Sequence, residues 1–420
     1  MYKLEFTLKQ HTPLIHFQHD QAGATLRATE VKPKLDQFII EKLLEEQNIR
    51  FDYYEPQTDG TKKFINAHET FKRKALKPED KIQKEWLFWL AGKGKNEHVS
   101  LDYKITIVSV DTSIKVISED DKIPMYFGNM GDEYLEKPMS LITCNKLKIS
   151  LLCLNDLLRS TIKKLFPYFI ARSNFGTRQN KGYGSFFFHE DDENGFFTID
   201  HYLKGNYCLR IRQNDWRNSL FVINYYYQRL KSGVNYYYKD RNTGKAFTHY
   251  RPSFFRDFMY MNQTVQWEKP WLKQKFFPVT GVLNNPKFAR AFLGLSPRFE
   301  FKNKPNPSNP NPATYPRFDF GVDVTSETIS RHKSPITFKP IMTERGAEIY
   351  VLVERRFWEP ICNQPFKFEG NGKAVDIYTP ANGIDTNLLI DEYNKNLGTS
   401  FTAVDFKGVK SINVSITIQS

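Results

Sequence analysis

The sequence predicts an α+β protein of two domains, each with the element order strand, helix, strand, strand, helix, strand. One observation is the alternation of apolar and polar residues in several stretches, which indicates half-buried strands. A second is helical spacing of apolar residues between those stretches. A third is that both halves show the same order of elements without a repeated sequence. This βαββαβ order is the ferredoxin-like pattern, which RRM-like RNA-recognition domains also use.

The first half begins with a predicted strand over residues 2–10, where Tyr2, Leu4, Phe6 and Leu8 alternate with polar residues. A helix is predicted from Thr29, a residue type that caps helices. A second helix is predicted over residues 155–170, capped by Asn155, with a kink or early end at Pro167. The other predicted elements of this half are strands over 103–110, 146–152 and 183–189 and an insertion over about 50–98.

The second half is predicted to repeat the order with two insertions. One insertion, residues 225–258, is rich in tyrosine and basic residues, and the other, residues 302–316, is rich in proline and asparagine. The predicted domains are therefore residues 1–200 and 201–420. The predicted elements of the second domain are strands over 207–212, 335–341, 347–354 and 409–418 and helices over 216–231 and 387–396.

Composition favours a protein with a packed core and a polyanionic partner. Hydrophobic residues make up 40% of the 420 residues, and the net charge is +13. Such an excess of positive charge favours nucleic acid as a partner, although a basic protein without one has the same composition. The four cysteines match no zinc pattern or disulfide framework, which favours a reducing, cytoplasmic compartment. We expect no membrane association, because no apolar run is long enough to span a bilayer and the N-terminus lacks a signal-peptide pattern.

The most informative stretch is ARSNFGTRQNKGYGSFFF, residues 171–188, a glycine-rich loop between a helix and a strand. Its cations suit phosphate oxygens, its glycines allow close backbone approach, and its tyrosine offers a face for a base. The alternative is a tight turn with solvated cations. It is neither a dinucleotide fingerprint nor a P-loop, since it follows a helix and lacks Gly-Lys-Ser/Thr. The candidate RNA-binding residues here are Arg172, Gly176, Arg178, Lys181, Gly182, Tyr183 and Gly184.

A loop near the N-terminus contains the candidate catalytic residues His16, His19 and Asp20. Histidine and carboxylate side chains can carry out acid–base chemistry or bind a metal. They can equally contact RNA or lie on a plain surface, and the spacing of the histidines is weak for a metal. We therefore predict no metal and no cofactor.

Two further stretches have open interpretations. The segment RHKSP, residues 331–335, adds Arg331 and Lys333 as candidate RNA contacts, although such residues are often simply solvated. In the insertion over 225–258, basic residues interleaved with aromatics suit single-stranded nucleic acid. The run Tyr225, Tyr226 and Tyr227 could equally be the core of a helix.

Several of these patterns together resemble the RAMP superfamily of CRISPR-associated proteins. The loop has the form G-x-R-x-x-x-G-Y-G-S-F, from Gly176 to Phe186. The N-terminal strand is followed by Thr12-Pro13-Leu14 and by LRATE, residues 26–30, which looks like the start of a RAMP domain. The later pattern R-x-x-S-P-I, residues 331–336, is similar to a feature of the Cmr-type subunit with two ferredoxin-like domains. The segment from His16 to Asp20 has less glycine than the family usually shows.

The resemblance implies an RNA-binding subunit of a type III CRISPR effector that acts in antiviral defence. Its partners would be guide RNA, target RNA and other effector subunits. On this interpretation Arg27 and Lys34, where the first helix begins, add phosphate contacts to those of the glycine loop. We expect no enzymatic activity. The alternatives are a metal-independent endoribonuclease that processes guide RNA, a backbone subunit that cleaves target RNA through Asp20 and a divalent ion, and a scaffold that contacts only protein.

Overall fold

The computed structural model describes residues 1–15, 25–58, 60–95, 99–117, 140–194, 196–239, 246–276, 286–300, 321–405 and 410–419. Within this part the chain divides into two compact units. Unit 1 contains the described residues up to Gly205 and Gln419, and unit 2 contains those from Asn206 to Ile418. Both units combine helices with antiparallel sheets, so the predicted α+β class is confirmed.

Unit 1 is built on one antiparallel sheet with the strand order β7-β1-β6-β5, in which β2 also pairs with β6. A separate hairpin, β3-β4, and the helices α2 and α3 lie in the stretch predicted as an insertion. The elements are β1 (Tyr2–Gln10), β2 (Leu14–Ile15), α1 (Ala28–Glu46), β3 (Tyr53–Pro56), β4 (Lys62–Ile65), α2 (Ala67–Leu76), α3 (Lys81–Trp89), β5 (Tyr103–Val116), β6 (Ser140–Cys153), α4 (Asp156–Arg172), β7 (Phe186–Phe188) and α5 (Ile199–Tyr202).

The core of unit 1 forms where α4 packs on the sheet. Alternation in β1 puts Leu4, Phe6 and Leu8 on the buried face, and the Phe6 ring stacks on Phe166 of α4 with centroids 4.0 Å apart. Asn155 caps α4 as predicted, because its side chain accepts a hydrogen bond of 2.9 Å from the Leu158 amide. Burial of these apolar side chains thus stabilises the packing of the helix on the strand.

Two predictions about helix ends in unit 1 were wrong, namely the cap at Thr29 and an early end at Pro167. The helix α1 begins at Ala28, one residue before Thr29, and it is flanked by Arg27, which makes no side-chain cap. The helix α4 continues through Pro167 to Arg172. The missing amide of proline weakens a helix, but Pro167 is itself buried, and so are Phe166 and Phe169 beside it in the core. Packing therefore outweighs the local preference.

Unit 2 is built on an antiparallel sheet with the order β13-β14-β8-β18-β17. A second antiparallel sheet, β11-β12-β15-β16, lies in two stretches, before β13 and after β14, for which no strands were predicted, and β9-β10 form a hairpin. The elements are β8 (Tyr207–Ile211), α6 (Trp216–Lys231), β9 (Val234–Lys239), β10 (Ala246–Arg251), α7 (Phe254–Gln263), α8 (Glu268–Phe276), β11 (Arg298–Glu300), β12 (Gly321–Thr325), β13 (Ile336–Thr343), β14 (Gly346–Val353), β15 (Pro365–Gly370), β16 (Lys373–Tyr378), α9 (Thr386–Leu397), β17 (Ser400–Val404) and β18 (Ser411–Ile418).

The tyrosine run of unit 2 belongs to the core. Tyr225, Tyr226 and Tyr227 are all buried on α6. The Tyr226 hydroxyl donates to Asn394 Oδ1 at 3.0 Å, and the Tyr393 hydroxyl of α9 donates to the Tyr226 carbonyl at 3.0 Å. Of the two interpretations of this run, the structure supports the helix core.

Three further sequence expectations concern the stretch 302–316, membrane-spanning helices and the cysteines. The proline- and asparagine-rich stretch 302–316 lies outside the described residues. Within them, no helix has both the length and the apolar composition needed to cross a bilayer. All four cysteines carry thiols and none forms a disulfide.

Candidate functional site

The glycine loop connects α4 to β7 and folds back on itself. Asn174 and Ser185 pair as an antiparallel bridge, and the Phe175 amide donates to the Gly184 carbonyl at 3.0 Å. Between these ends, Gln179–Lys181 form a single turn of 3-10 helix. The loop is therefore an ordered hairpin that presents Arg178 and Lys181 on either side of its turn.

The segment after β1 fastens this hairpin to the sheet. The Thr12 hydroxyl donates to the Gly182 carbonyl at 2.6 Å and accepts from the Ser185 amide at 2.9 Å. The Gly184 amide donates to the Pro13 carbonyl at 2.8 Å. The Thr-Pro-Leu turn and the glycine loop, which are about 170 residues apart in sequence, thus form one structural unit.

This arrangement corrects the roles expected for Tyr183, Gly182 and Gly184. Tyr183 is fully buried, so its ring presents no face on which a base could stack. Gly184 has φ +63, and a Cβ there would lie 2.0 Å from the Phe175 carbonyl oxygen. Its close approach is to the loop's own backbone, and its amide is already bonded. The amide of Gly182, another buried residue, donates to the Gln179 carbonyl at 3.3 Å.

The first turns of α1 pack against the same loop. Glu30 Oε1 accepts from the Gly176 amide at 2.7 Å and pairs with Lys34 Nζ at 2.9 Å. Lys34 Nζ also donates to Gln179 Oε1 at 2.6 Å and lies 4.9 Å from the centre of the Phe175 ring. The structure therefore gives Lys34 a bridging role between α1 and the loop.

We call the place where the start of α1 packs against the glycine loop the corner. Arg27 is a cation at this corner with an unusual environment. It lies immediately before α1, where helix amides and the helix dipole favour an anion. Its Nε and Nη2 atoms are buried and have no hydrogen-bond partner among the described residues. A buried guanidinium nitrogen without an acceptor is costly, because it has lost its water. An anion bound at the corner would supply that acceptor.

The other predicted cations of the loop lie around this corner in different settings. Arg178 has the left-handed backbone conformation, with φ +60, and is half-buried. Burial lowers the pKa of its guanidinium, which stays charged at neutral pH. Lys181 is half-buried at the end of the 3-10 turn, and Arg172 is exposed at the last residue of α4.

The remaining predicted site residues are in other settings or outside the described residues. Arg331 is exposed in unit 2, and Lys333 Nζ is held by Glu354 at 2.7 and 2.8 Å. His16, His19 and Asp20 lie outside the described residues. In the part of the chain that is described, no group of three histidine, cysteine or acidic residues is arranged to hold a metal ion.

Unit 2 contains a second group of basic side chains that sequence reasoning missed. Lys231, His332 and Arg356 lie around the loop segments 293–295 and 332–334. They are separated by up to 125 residues (356 − 231). Local patterns could not bring them together. The only signal was that His332 stands inside the RHKSP segment.

Comparison with protein families settles which family this is. The family model described as the Cmr1 N-terminal domain matches residues 1–234. The chain belongs to the Cmr1 family. The Cmr1 C-terminal domain model matches residues 250–397. This Cmr1-family chain is thus a two-domain Cmr-type subunit of type III CRISPR complexes, and the resemblance found in its motifs is confirmed.

Structural and curated comparisons add little to the family assignment. The crystal structure of apo Cmr1 from Pyrococcus furiosus is similar at 10% sequence identity, covering 85% of this chain and 89% of that chain. Its TM-score of 0.36 is too low to carry an argument about fold or site. Comparison with curated proteins gives no match.

Proposed function

We propose that this Cmr1-family chain is an RNA-binding subunit of a type III CRISPR effector and holds guide RNA, target RNA or both. The corner formed by the start of α1 and the glycine loop is the proposed contact surface in unit 1. The observation that carries the proposal is Arg27, whose buried Nε and Nη2 atoms have no hydrogen-bond partner among the described residues. RNA phosphates are the acceptors that such a guanidinium fits best.

The fold of each unit supports this proposal. In unit 1 the four main strands lie in the order β7-β1-β6-β5, with α1 and α4 as the two connecting helices. In unit 2 the corresponding order is β18-β8-β14-β13, with α6 and α9. In both, the last strand lies beside the first and the third lies between the first and the second. We assign both units to the ferredoxin-like class on this basis, with domains at about 1–200 and 201–420.

The contacts we assign follow from the placement of each residue. Arg27 and Arg178 would bind phosphate oxygens directly, and Lys181 and Arg172 would add charge beside them. Lys34, Gly176, Gly182, Tyr183 and Gly184 would shape the corner without touching RNA. Arg331 would add a peripheral contact in unit 2, whereas Lys333 is already paired with a carboxylate.

A charge-matched pair of variants tests the proposal. Arg27→Gln and Arg178→Gln should each weaken binding of single-stranded RNA about tenfold, the size of one charge-assisted hydrogen bond. Arg159→Gln is the control, because it removes the same charge from α4 at a residue paired with Asp156. Affinity would be measured by fluorescence anisotropy at one salt concentration, and melting temperature would be measured alongside.

The result has a clear contrary outcome. Equal affinities for the wild type, Arg27→Gln and Arg178→Gln, in proteins that melt at the same temperature, would remove this corner as an RNA interface. A loss of the same size in Arg159→Gln would show that only net charge matters.

A further inference from the structure

A second anion-binding position is suggested by the side chains around two adjoining loops of unit 2. The Leu295 amide donates to the His332 carbonyl at 3.2 Å and so joins segment 293–295 to segment 332–334. Lys231 Nζ, at the end of α6, donates to the carbonyls of Leu293 at 3.2 Å and Gly294 at 2.5 Å. Arg356 Nη2, beyond β14, donates to the Ser334 carbonyl at 2.8 Å. We call Lys231, His332 and Arg356 the cationic cluster.

Two nitrogen atoms of the cationic cluster have no hydrogen-bond partner in the described protein. His332 Nε2 and Arg356 Nε are buried and lack a hydrogen-bond partner among the described residues. Native structures seldom leave buried nitrogens unsatisfied, and each such case calls for an explanation. As whole residues, His332 and Arg356 are half-buried.

The carboxylates near the cationic cluster are already occupied. Glu354 accepts from Lys333 and from the Thr337 hydroxyl, and it lies 3.5 Å from Arg356 Nη2. Glu268 forms a buried ion pair with Arg290. Three cations, Arg290, Lys333 and Arg356, therefore face two carboxylates, and the excess charge is positive even without Lys231. An anion would balance it.

Gly294 keeps the two loop segments of this position close together. A Cβ at Gly294 would lie 3.3 Å from the Ser334 amide nitrogen and 3.5 Å from the His332 carbonyl oxygen. The flat ring of Trp358 lies beside the cationic cluster, with its centre 6.1 Å from that of His332. A phosphate with a neighbouring base fits this combination of cations and an aromatic ring.

We infer that the cationic cluster binds a phosphate group of single-stranded RNA, through His332 Nε2, Arg356 Nε and the ammonium group of Lys231. This inference rests on the proposed RNA-binding function and assigns to unit 2 a contact of its own. Burial and the neighbouring Arg356 and Lys231 lower the pKa of His332 to about 4, and burial lowers that of Lys231 to about 7. A bound phosphate would raise both pKa values, so binding should take up protons.

The test compares three single substitutions in the full chain. Arg356→Gln and His332→Leu should each lower RNA affinity about tenfold, as expected for the loss of one charge-assisted contact. Arg345→Gln, which removes the same charge from the exposed turn between β13 and β14, should leave affinity within about twofold, since screened surface charges contribute little. His332→Leu removes an imidazole nitrogen that has no partner inside the described protein, so it remains informative if Arg356→Gln lowers the melting temperature.

Calorimetric titration with inorganic phosphate separates RNA from a free phosphate as the ligand. Weaker RNA binding in Arg356→Gln and His332→Leu, together with competition by millimolar phosphate in the wild type, supports the inference. Phosphate binding that these variants lose while their RNA affinity is unchanged would overturn the RNA assignment.

The same RNA-binding measurements distinguish failure of the unit 2 inference from failure of the proposed function. Lost RNA binding in Arg27→Gln with wild-type binding in both cluster variants would overturn this inference and leave the proposed function standing. A wild-type chain that binds no RNA would overturn both. In that case the phosphate titration alone would decide whether the cationic cluster takes an anion.

Discussion

At the scale of single residues, the protonation of His332 links the cationic cluster to stability. The pKa of His332 is lowered to about 4 by burial and by the positive charges of Arg356 and Lys231. In the unfolded chain the pKa returns to about 6.5. Between these values the unfolded state binds a proton that the folded state does not. The free energy of unfolding should therefore fall as pH decreases from about 6.5 to about 4.

The variant His332→Leu should lose this pH dependence. From pH 7 to pH 5 the wild type should lose about 1–2 kcal/mol more of its free energy of unfolding than the variant loses, at about 1.4 kcal/mol per pH unit below 6.5. Urea unfolding in phosphate-free buffers at the two pH values measures the difference. Parallel losses in the two proteins would mean that His332 takes up its proton as readily when folded as when unfolded.

At the scale of the element, the glycine loop owes its shape to its own backbone. Gly184→Ala should destabilise unit 1 by about 2–5 kcal/mol. Of this, about 1–2 kcal/mol comes from the left-handed backbone and about 1–3 kcal/mol from overpacking against the Phe175 carbonyl. Gly205→Ala is the matched control, because Gly205 has φ +77 but nothing within 4 Å of an added Cβ.

Chemical denaturation of both glycine variants would show the difference. The control should lose only about 1–2 kcal/mol, the cost of the backbone conformation alone. If both variants lose the same amount, close packing at Gly184 contributes nothing. RNA affinity of the Gly184→Ala protein that remains folded should fall as well, because the loop that carries Arg178 and Lys181 would be displaced.

The local sequence pattern was enough to predict helices and strands in which buried residues recur at a regular spacing. The helix α6 runs from Trp216 to Lys231, the bounds predicted from the sequence, and Asn155 caps α4 as predicted. Pro167 and Tyr183 were misjudged for one reason. Their local preferences, to break a helix and to stay partly exposed in a loop, are outweighed by contacts from distant parts of the chain.

The two candidate sites were predictable to different degrees, because one is formed by residues close in sequence and the other by residues from distant parts of the chain. The cations of the glycine loop lie within one short stretch of the sequence, so the motif itself revealed them. Their setting depends on Thr12 and Glu30, which no local pattern connects to the loop. The cationic cluster combines residues from α6, from the segment before β13 and from the segment after β14, and only the folded sheet brings them together.

At the scale of the whole molecule, the net charge of +13 predicts how RNA affinity responds to salt. Each phosphate neutralised on single-stranded RNA releases counterions and contributes about −0.7 to the slope of log affinity against log salt concentration. Two anion positions, one in each unit, should therefore give a wild-type slope of about −1.4 or steeper. Arg27→Gln and Arg356→Gln should each reduce its magnitude by about 0.7.

The double variant extends this prediction to both units at once. If the two positions bind separate phosphates, the losses in slope should add, because independent sites contribute additively. Anisotropy titrations at four salt concentrations, with Arg159→Gln and Arg345→Gln as charge-matched controls, measure each slope. A double variant with the slope of either single variant would mean that only one of the two positions contacts RNA. A wild-type affinity that does not change with salt would contradict a phosphate-dominated interface altogether.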